Sequence, residues 1–174
     1  MKLSLNFFFL LISIIYFGQG SDRYEFIGDN HKHGFINKDG KIMIPPIYLN
    51  VQDFSDGRAF VSKETSQKGY VWICIDSLGN KIFDIADNYP QTSFSQGYAR
   101  ISSFEEHWFI DTNGKTVFNR TFKDGRGGFK NGYAKVSDEE FQNFYYINLN
   151  GERVNSPNFE QEKSDLRENN FISF

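Results

Sequence analysis

A short block of residues occurs four times along the chain at a nearly constant spacing, and this repetition limits the possible folds more than any other property of the sequence. Each copy has an aromatic residue or Cys, then Ile, then Asp or Asn, and a Gly three residues after the Asp or Asn. The copies are residues 35–41, 74–80, 109–115 and 146–152. Their glycines lie 39, 35 and 37 residues apart. A fixed period of this length predicts a protein built from repeated supersecondary units.

A second block follows the first after a similar interval. It reads Phe, two variable residues, Gly, one variable residue and Ala, at residues 54–59, 94–99 and 129–134. Its Gly lies 17, 18 and 18 residues after the Gly of the first block. Counting 18 residues from Gly151 leads to Asn169, a residue type that tolerates the left-handed backbone conformation. We therefore predict a divergent final strand, Phe171–Phe174, that pairs with the fourth hairpin and closes the fourth repeat.

The first block has the composition of a β-hairpin. The Asp or Asn side chain can accept backbone N–H bonds from residues further on and start a turn, and the Gly supplies the positive φ that closes it. The second block opens a strand in which Ala59 and Val61 face one side of a sheet, and Arg58 and Phe60 face the other. The sequence therefore predicts an all-β repeat protein of three-stranded antiparallel units, arranged as a curved sheet, a solenoid or an incomplete propeller.

The two blocks resemble the WG-repeat family, whose pattern runs Trp-Gly-aromatic-Ile-Asp-x-x-Gly-Lys-x-x-Ile-x-Pro-x-Tyr and then Phe-x-x-Gly-x-Ala. The first repeat is the most similar, at Gly34–Tyr48 and then Phe54–Ala59. The name-giving pair differs in every repeat, and reads His33-Gly34 in the first and Trp72-Ile73 in the second. The resemblance covers about residues 33–174. It implies a β-repeat protein that serves as a binding or interaction module, and it carries over no catalytic residues because the family pattern has none.

The N-terminus has the three regions of an export signal. A basic residue precedes an almost wholly apolar segment, Leu3–Phe17, and Gly18-Gln19-Gly20 places small residues at −3 and −1 relative to Ser21. A membrane anchor is the alternative, but 15 residues are fewer than the roughly 20 that cross a bilayer as a helix. We therefore expect residues 1–20 to be a cleaved signal peptide. Residues 21–174 would then form the repeat domain of a secreted, periplasmic or cell-surface protein with no membrane span.

Charge and cysteine content exclude several classes of function. The net charge of −3 provides no basic field for nucleic acid. One Cys excludes a disulfide framework and a Cys-rich zinc module. Nucleic-acid binding and disulfide-stapled classes are therefore not expected.

Single residues that could carry chemistry have ordinary structural explanations. His31 and His33 have no third metal ligand at a matching spacing, and Cys74 occupies a position that is aromatic in the other repeats. Asp76 heads a turn in which two other repeats have Asn, which is not a calcium pattern. Gly125–Gly128 lacks the strand-to-helix context of a phosphate-binding loop. We therefore expect no cofactor and no metal.

The strand of the second block also supplies the candidate binding residues. Tyr98 and Arg100 in one repeat, and Tyr133 and Lys135 in the next, lie on the same face of the strand. Tyr and long cations suit a half-buried sheet face, and a repeated stripe of them could also stack on a glycan or contact a protein. We expect an exported, non-catalytic binding or interaction module whose partner is a protein or a glycan. The open alternatives are an extracellular hydrolase of glycans or peptides and a structural surface component.

Overall fold

The computed structural model describes residues 22–66 and 69–154, and every regular element in these ranges is a β-strand. The strands are β1 Tyr24–Ile27, β2 His33–Ile36, β3 Ile42–Tyr48, β4 Asn50–Val51, β5 Arg58–Thr65, β6 Gly69–Asp76, β7 Lys81–Asp84, β8 Tyr89–Pro90, β9 Tyr98–Ser102, β10 His107–Asp111, β11 Thr116–Phe122, β12 Asp124–Lys130, β13 Tyr133–Ser137, β14 Tyr145–Asn148 and β15 Arg153–Val154. These two ranges contain no helix that could span a bilayer. The expected export signal and the predicted final strand lie outside the described residues.

The strands form four antiparallel sheets that follow one another along the chain. The first sheet has three strands in the order β1-β2-β3. The other three have four strands each, in the orders β4-β5-β6-β7, β11-β10-β9-β8 and β12-β13-β14-β15. We call them the first, second, third and fourth sheets. The predicted all-β repeat architecture is confirmed, with a short fourth strand added to three of the units.

The strand of the second block pairs with the hairpin that follows it in the chain. In the second sheet, β5 pairs with β6 over eight residues, from Arg58 opposite Asp76 to Thr65 opposite Gly69. The connection from β5 to β6 is much shorter than the one from β3 to β5, so closing it costs less chain entropy. The second, third and fourth sheets therefore each begin in one sequence repeat and end in the next. The repeat spacing alone did not reveal this offset between repeats and sheets.

The hairpin turns have the predicted structure. In the first turn, Asn37 Oδ1 accepts hydrogen bonds from the backbone N–H groups of Asp39 (3.0 Å) and Lys41 (2.9 Å). Gly40 closes this turn with a φ of 76°. The three later turns repeat these two hydrogen bonds and the positive φ, at Asp76 with Gly79, Asp111 with Gly114, and Asn148 with Gly151. The recurring Asp or Asn therefore organises the turn.

Consecutive sheets pack face to face, and three hydrophobic clusters fill the junctions between them. In the second sheet, Ala59 and Val61 belong to the cluster shared with the first sheet, and Phe60 between them belongs to the cluster shared with the third. The third sheet repeats this, because Ala99 and Ile101 contact the second sheet. The alternating residues of this strand therefore lie on two faces of the sheet, one packed against the preceding sheet and the other against the following sheet.

The Phe of each second block seats one unit on the one before it. The ring centroid of Phe54 lies 4.7 Å from that of Phe35 in the first sheet. Phe94 stacks on Phe60 of the second sheet at 4.9 Å, and Phe129 lies 5.0 Å from Phe109 of the third. We call Phe54, Phe94 and Phe129 the anchor residues. They are nearly inaccessible to solvent, so each lies inside the junction that it helps to fill.

Candidate functional site

The fourth sheet has a face that no further sheet covers within the described part of the chain. Ala134, Val136 and Ile147 of this sheet are buried in the junction with the third sheet. The residues that alternate with them lie on the opposite face, where Arg126 pairs with Lys135 and Lys135 pairs with Tyr146 across three neighbouring strands. This row, together with Tyr133 and Phe144, is called the end face.

Cations on the end face lie over aromatic rings. The Lys135 Nζ is 5.5 Å from the centre of the Phe144 ring and 5.8 Å from that of Tyr146. The Arg126 guanidinium carbon is 4.8 Å from the centre of the Phe144 ring. Within the described residues, neither cation forms an ion pair with a carboxylate. The end face therefore combines cation–π packing with positive charge that is not neutralised by those residues.

A cleft of about 730 Å³ opens beside this row. Its walls include Arg126, Tyr133, Lys135 and Tyr146 of the fourth sheet, together with the segment 92–95 between β8 and β9. Its size and its mixture of apolar and polar walls are typical of a ligand site.

The glycine-rich run beside the cleft is explained by packing. A Cβ at Gly125 would lie 3.0 Å from Arg100 Cδ, so Gly at this position leaves room for that buried side chain. Gly127 has a φ of 68° within an irregular stretch of β12, where the pairing with β13 shifts. The glycines therefore shape the cleft wall, and packing explains them without a phosphate-binding role.

The four candidate binding residues occupy two different places. Tyr133 and Lys135 lie on the end face and line the cleft. Tyr98 packs against Phe129 at 5.2 Å between ring centroids, and its hydroxyl donates a hydrogen bond to the Leu149 carbonyl (3.3 Å). Arg100 is only 6% exposed. Two of the four residues thus lie in the junction between the third and fourth sheets, and two lie on the surface beyond it.

Arg100 joins the two sheets through directed hydrogen bonds. Its Nε donates to the Gly127 carbonyl (3.2 Å), and its Nη1 lies 3.0 Å from His107 Nδ1. An arginine can only donate, so His107 Nδ1 accepts and the ring proton sits on Nε2. Burial lowers the pKa of His107, and the charge of Arg100 lowers it further. Burial also lowers the pKa of Arg100, which nearby Asp124 opposes. This arrangement keeps His107 neutral and links the third and fourth sheets through Arg100.

A second cavity, of about 440 Å³, lies near the end of the fourth sheet and is lined by carboxylates. Both of its acids are engaged. Asp138 Oδ1 accepts hydrogen bonds from the Tyr145 hydroxyl and from Arg120 Nη2, each at 2.9 Å. The Glu139 carboxylate accepts one from Asn143 Nδ2 at 2.8 Å. Burial raises the pKa of the Tyr145 hydroxyl, and its bond to Asp138 adds to the increase. Both carboxylates therefore have hydrogen-bond partners within the protein.

The remaining reactive residues are also held in structural positions. Burial raises the pKa of the Cys74 thiol to about 12, which removes its nucleophilic thiolate at neutral pH. His33 Nδ1 contacts the Glu25 carboxylate across β1 and β2. His31 lies in the turn between these strands with a φ of 57°. Among the described residues, no three His, Cys, Asp or Glu side chains lie close enough to hold a metal ion.

Sequence reasoning did not single out Arg126, Phe144 or Tyr146 as site residues. Tyr146 could have been found, because it stands at the position of Phe35, Cys74 and Phe109 in the other repeats. Arg126 and Phe144 come into the row only through pairing and side-chain contacts across β12, β13 and β14. No sequence signal marks either of them.

Comparison with known proteins finds a family model that matches two spans of the chain. Residues 34–64 and 109–140 match the family model described as WG containing repeat. The first span begins within β2 and ends within β5, and the second begins within β10 and extends past β13. Each span includes both recurring blocks. No curated protein matches the chain, and no solved structure matches it either.

Proposed function

We propose that this chain, which carries WG containing repeats at residues 34–64 and 109–140, is an exported, non-catalytic binding module. Its binding site would be the end face and the adjoining cleft. The observation that carries the proposal is the row of Arg126, Lys135 and Tyr146, which borders a cleft of about 730 Å³ and has no described sheet above it. The proposed ligand is a segment of another polypeptide that carries carboxylates beside an apolar side chain.

The other junctions support a polypeptide ligand. The corresponding faces of the second and third sheets each receive a segment of the following unit, seated by the rings of Phe94 and Phe129. The end face has the same strand framework and presents Tyr146 where the third sheet presents Phe109. A protein segment with one large apolar side chain therefore fits the shape of this face.

The charge of the end face supports an acidic ligand. The central position of the row is Phe60 in the second sheet, Arg100 in the third and Lys135 in the fourth. The change from Phe60 to Lys135 replaces an apolar contact with a cation, and Arg126 adds another beside it. Carboxylates near the apolar side chain of the ligand would pair with these cations and orient it.

The hydrogen bonding of the acids that line the polar cavity supports a non-catalytic role. In the polar cavity, Asp138 and Glu139 are both engaged by hydrogen-bond donors. No other observation favours the hydrolase or the structural alternative over binding.

Export rests on the apolar segment Leu3–Phe17 and the small residues before Ser21. We expect the exported protein to begin near Ser21, because signal peptidase cleaves after a small-x-small sequence. N-terminal sequencing of secreted material measures this directly. Secreted protein that still begins at Met1 would contradict cleavage.

The test of the binding site is a screen of a displayed random-peptide library against the protein spanning residues 21–174. We expect enriched peptides to carry Asp or Glu next to an aromatic or aliphatic residue. Lys135→Glu should weaken their binding about tenfold or more, since it reverses a charge at the centre of the row. The matched control is Lys41→Glu, which makes the same charge change at an exposed turn of the first sheet.

Three outcomes distinguish the possibilities. Enriched peptides that lose affinity in Lys135→Glu and keep it in Lys41→Glu support the proposal. Enrichment that is equal for both variants would contradict the end face as the site. Binding to a glycan array that depends on Lys135, with no peptide enriched, would keep the surface and reject the polypeptide ligand.

A further inference from the structure

We propose that residues 155–174 of this same chain dock on the end face, with the Leu166 side chain against Tyr146, and compete there with the external ligand. The proposal rests on the proposed function, because it names an internal regulator of that same site. It is distinct from the predicted pairing of a final strand with the fourth hairpin. Docking on the face, and not addition at the edge, is what the other three junctions exhibit.

The first argument is the spacing between each sheet and its anchor residue. The strands β2, β6, β10 and β14 are equivalent in the four sheets. Each has one residue at an equivalent position: Phe35, Cys74, Phe109 and Tyr146. In the first three sheets this residue lies on the face toward the following unit. The anchor residue that covers this face follows it by 19 residues in the first sheet and by 20 in the second and third. Twenty residues after Tyr146 stands Leu166. An apolar residue therefore occurs where the spacing of the other units places an anchor residue.

The second argument is the turn that follows each anchor. The pairs Asp56-Gly57, Gln96-Gly97 and Asn131-Gly132 all have positive φ at both residues. The corresponding pair after Leu166 is Glu168-Asn169. Asn is the residue other than Gly that adopts this conformation most readily. The local sequence is thus compatible with the same turn.

The third argument is charge complementarity. Residues 155–174 contain four acidic residues and two basic ones, which gives a net charge of −2, and Asp165 and Glu168 lie close to Leu166. The facing surface carries Arg126 and Lys135 with no described carboxylate in an ion pair with either. The described part of the chain ends at Val154 on β15, which pairs with Tyr146. Residues 155–174 therefore start from the fourth sheet itself.

The docking is tested with a nitroxide spin label on Ser164→Cys in the protein spanning residues 21–174. The native Cys74 is buried with a raised pKa, so the label reacts at the introduced site. We expect strong paramagnetic broadening of the backbone amide signals of Lys135 and Tyr146, and none at Phe35 of the first sheet. Adding Leu166→Ala should remove the broadening at the fourth sheet while the signals of the first sheet stay unchanged. Broadening that is absent from the fourth sheet, or equal in the two sheets, overturns the proposal.

Competition is tested with the peptides enriched in the library screen. Leu166→Ala should raise their affinity about fivefold or more, a coupling of ordinary size between two ligands for one site. Peptides that bind through Lys135 without any broadening at the fourth sheet would reject this inference and leave the proposed function standing. Broadening at the fourth sheet without a gain in peptide affinity would reject the competition. Failure to enrich any peptide, in the parent protein and in Leu166→Ala alike, would reject the proposed function and, with it, the regulation.

Discussion

The first and fourth sheets are built from the same repeat, and each has one face that no other sheet covers in the described residues, yet these faces differ in chemistry. On the first sheet, the outward row consists of Tyr24, Ile36 and Ile42, which pair across three strands. Tyr24 and Ile42 are each more than half exposed. On the fourth sheet, the outward row consists of Arg126, Lys135 and Tyr146. One outward face is therefore apolar and the other is cationic and aromatic.

This difference shows which property the repeat sets and which it leaves free. The turn residues and the inward alternation recur in every unit, because each hairpin must close and each junction must be filled. The residue types on the other face of a sheet are restricted only where another unit packs on that face. The fourth sheet carries charge beside a cleft at that row, which is why the binding proposal is placed there and not on the first sheet.

The largest expected effect concerns the anchor residues at the two ends. Phe129→Ala should lower the free energy of unfolding by about 4 kcal/mol and Phe54→Ala by about 3 kcal/mol. Phe129 lies within 6.0 Å, centre to centre, of the rings of Tyr98, Phe109 and Phe118, and it is more fully buried than Phe54, so we expect its removal to cost more. Urea denaturation of both variants measures the difference. Equal losses would show that the two end junctions are equally packed.

The next effect compares the turn glycines of the same two sheets. A Cβ at Gly151 would overlap the Phe118 ring, whereas a Cβ at Gly40 meets nothing within 4 Å. Both have positive φ, so Gly40→Val should cost about 1 kcal/mol from backbone strain. Gly151→Val should cost about 2 kcal/mol more through overpacking.

Gly40→Val is the control for this prediction, because it carries the strain without the clash. Thermal unfolding of the two variants gives the comparison. If the two midpoints fell by the same amount, the fourth hairpin would not rest on Phe118 of the third sheet.

The sequence predicts what local chemistry determines and fails where a neighbouring unit decides. The hairpin turns follow from Asp or Asn with Gly, and the direction of Ala59 and Val61 follows from strand alternation. Arg100 and Lys135 occupy the same position of the repeat and are both long cations, yet only Arg100 is buried. Burial depends on whether another unit packs over the position, and strand alternation carries no information on that. For the same reason, the sequence could not predict that Arg126, Lys135 and Tyr146 form one row on an outward face.

A smaller effect is expected from histidines at equivalent positions of the first and third sheets. His33 contacts a carboxylate, that of Glu25, whereas His107 accepts a hydrogen bond from Arg100. Burial lowers the pKa of His107 below its ordinary value, so the folded state binds fewer protons there than the unfolded state. Its contribution to stability is therefore present above the unfolded pKa of about 6.5 and is lost as the pH falls below it.

Urea unfolding at pH 7.5 and 5.5 measures this contribution, with His107→Gln as the matched variant. Gln keeps an acceptor for Arg100 and cannot be protonated in this range. The parent protein should lose more unfolding free energy between the two pH values than the variant does. Contributions from groups that both proteins share cancel in this difference. Identical losses would therefore show that His107 does not contribute to the pH dependence of stability.

The smallest effect tests whether the outward face of the first sheet is a solvent surface. Ile42 and Ile44 lie in the same strand, but a shift in pairing between Phe35 and Ile36 turns them to opposite faces. Ile42 is 54% exposed and Ile44 is 2% exposed. Ile42→Ser should therefore change the free energy of unfolding by no more than about 0.5 kcal/mol, as is usual for surface positions. Ile44→Ser should cost about 3 kcal/mol or more, because it removes apolar contacts and buries a hydroxyl. Chemical denaturation of the two variants measures the difference.

A loss above about 1.5 kcal/mol for Ile42→Ser would mean that Ile42 is covered in the folded protein, since burial of one such side chain is worth about that much. The apolar row would then be a packed interface like the inner junctions, and the cationic row of the fourth sheet would be the one outward surface of the two left to a ligand.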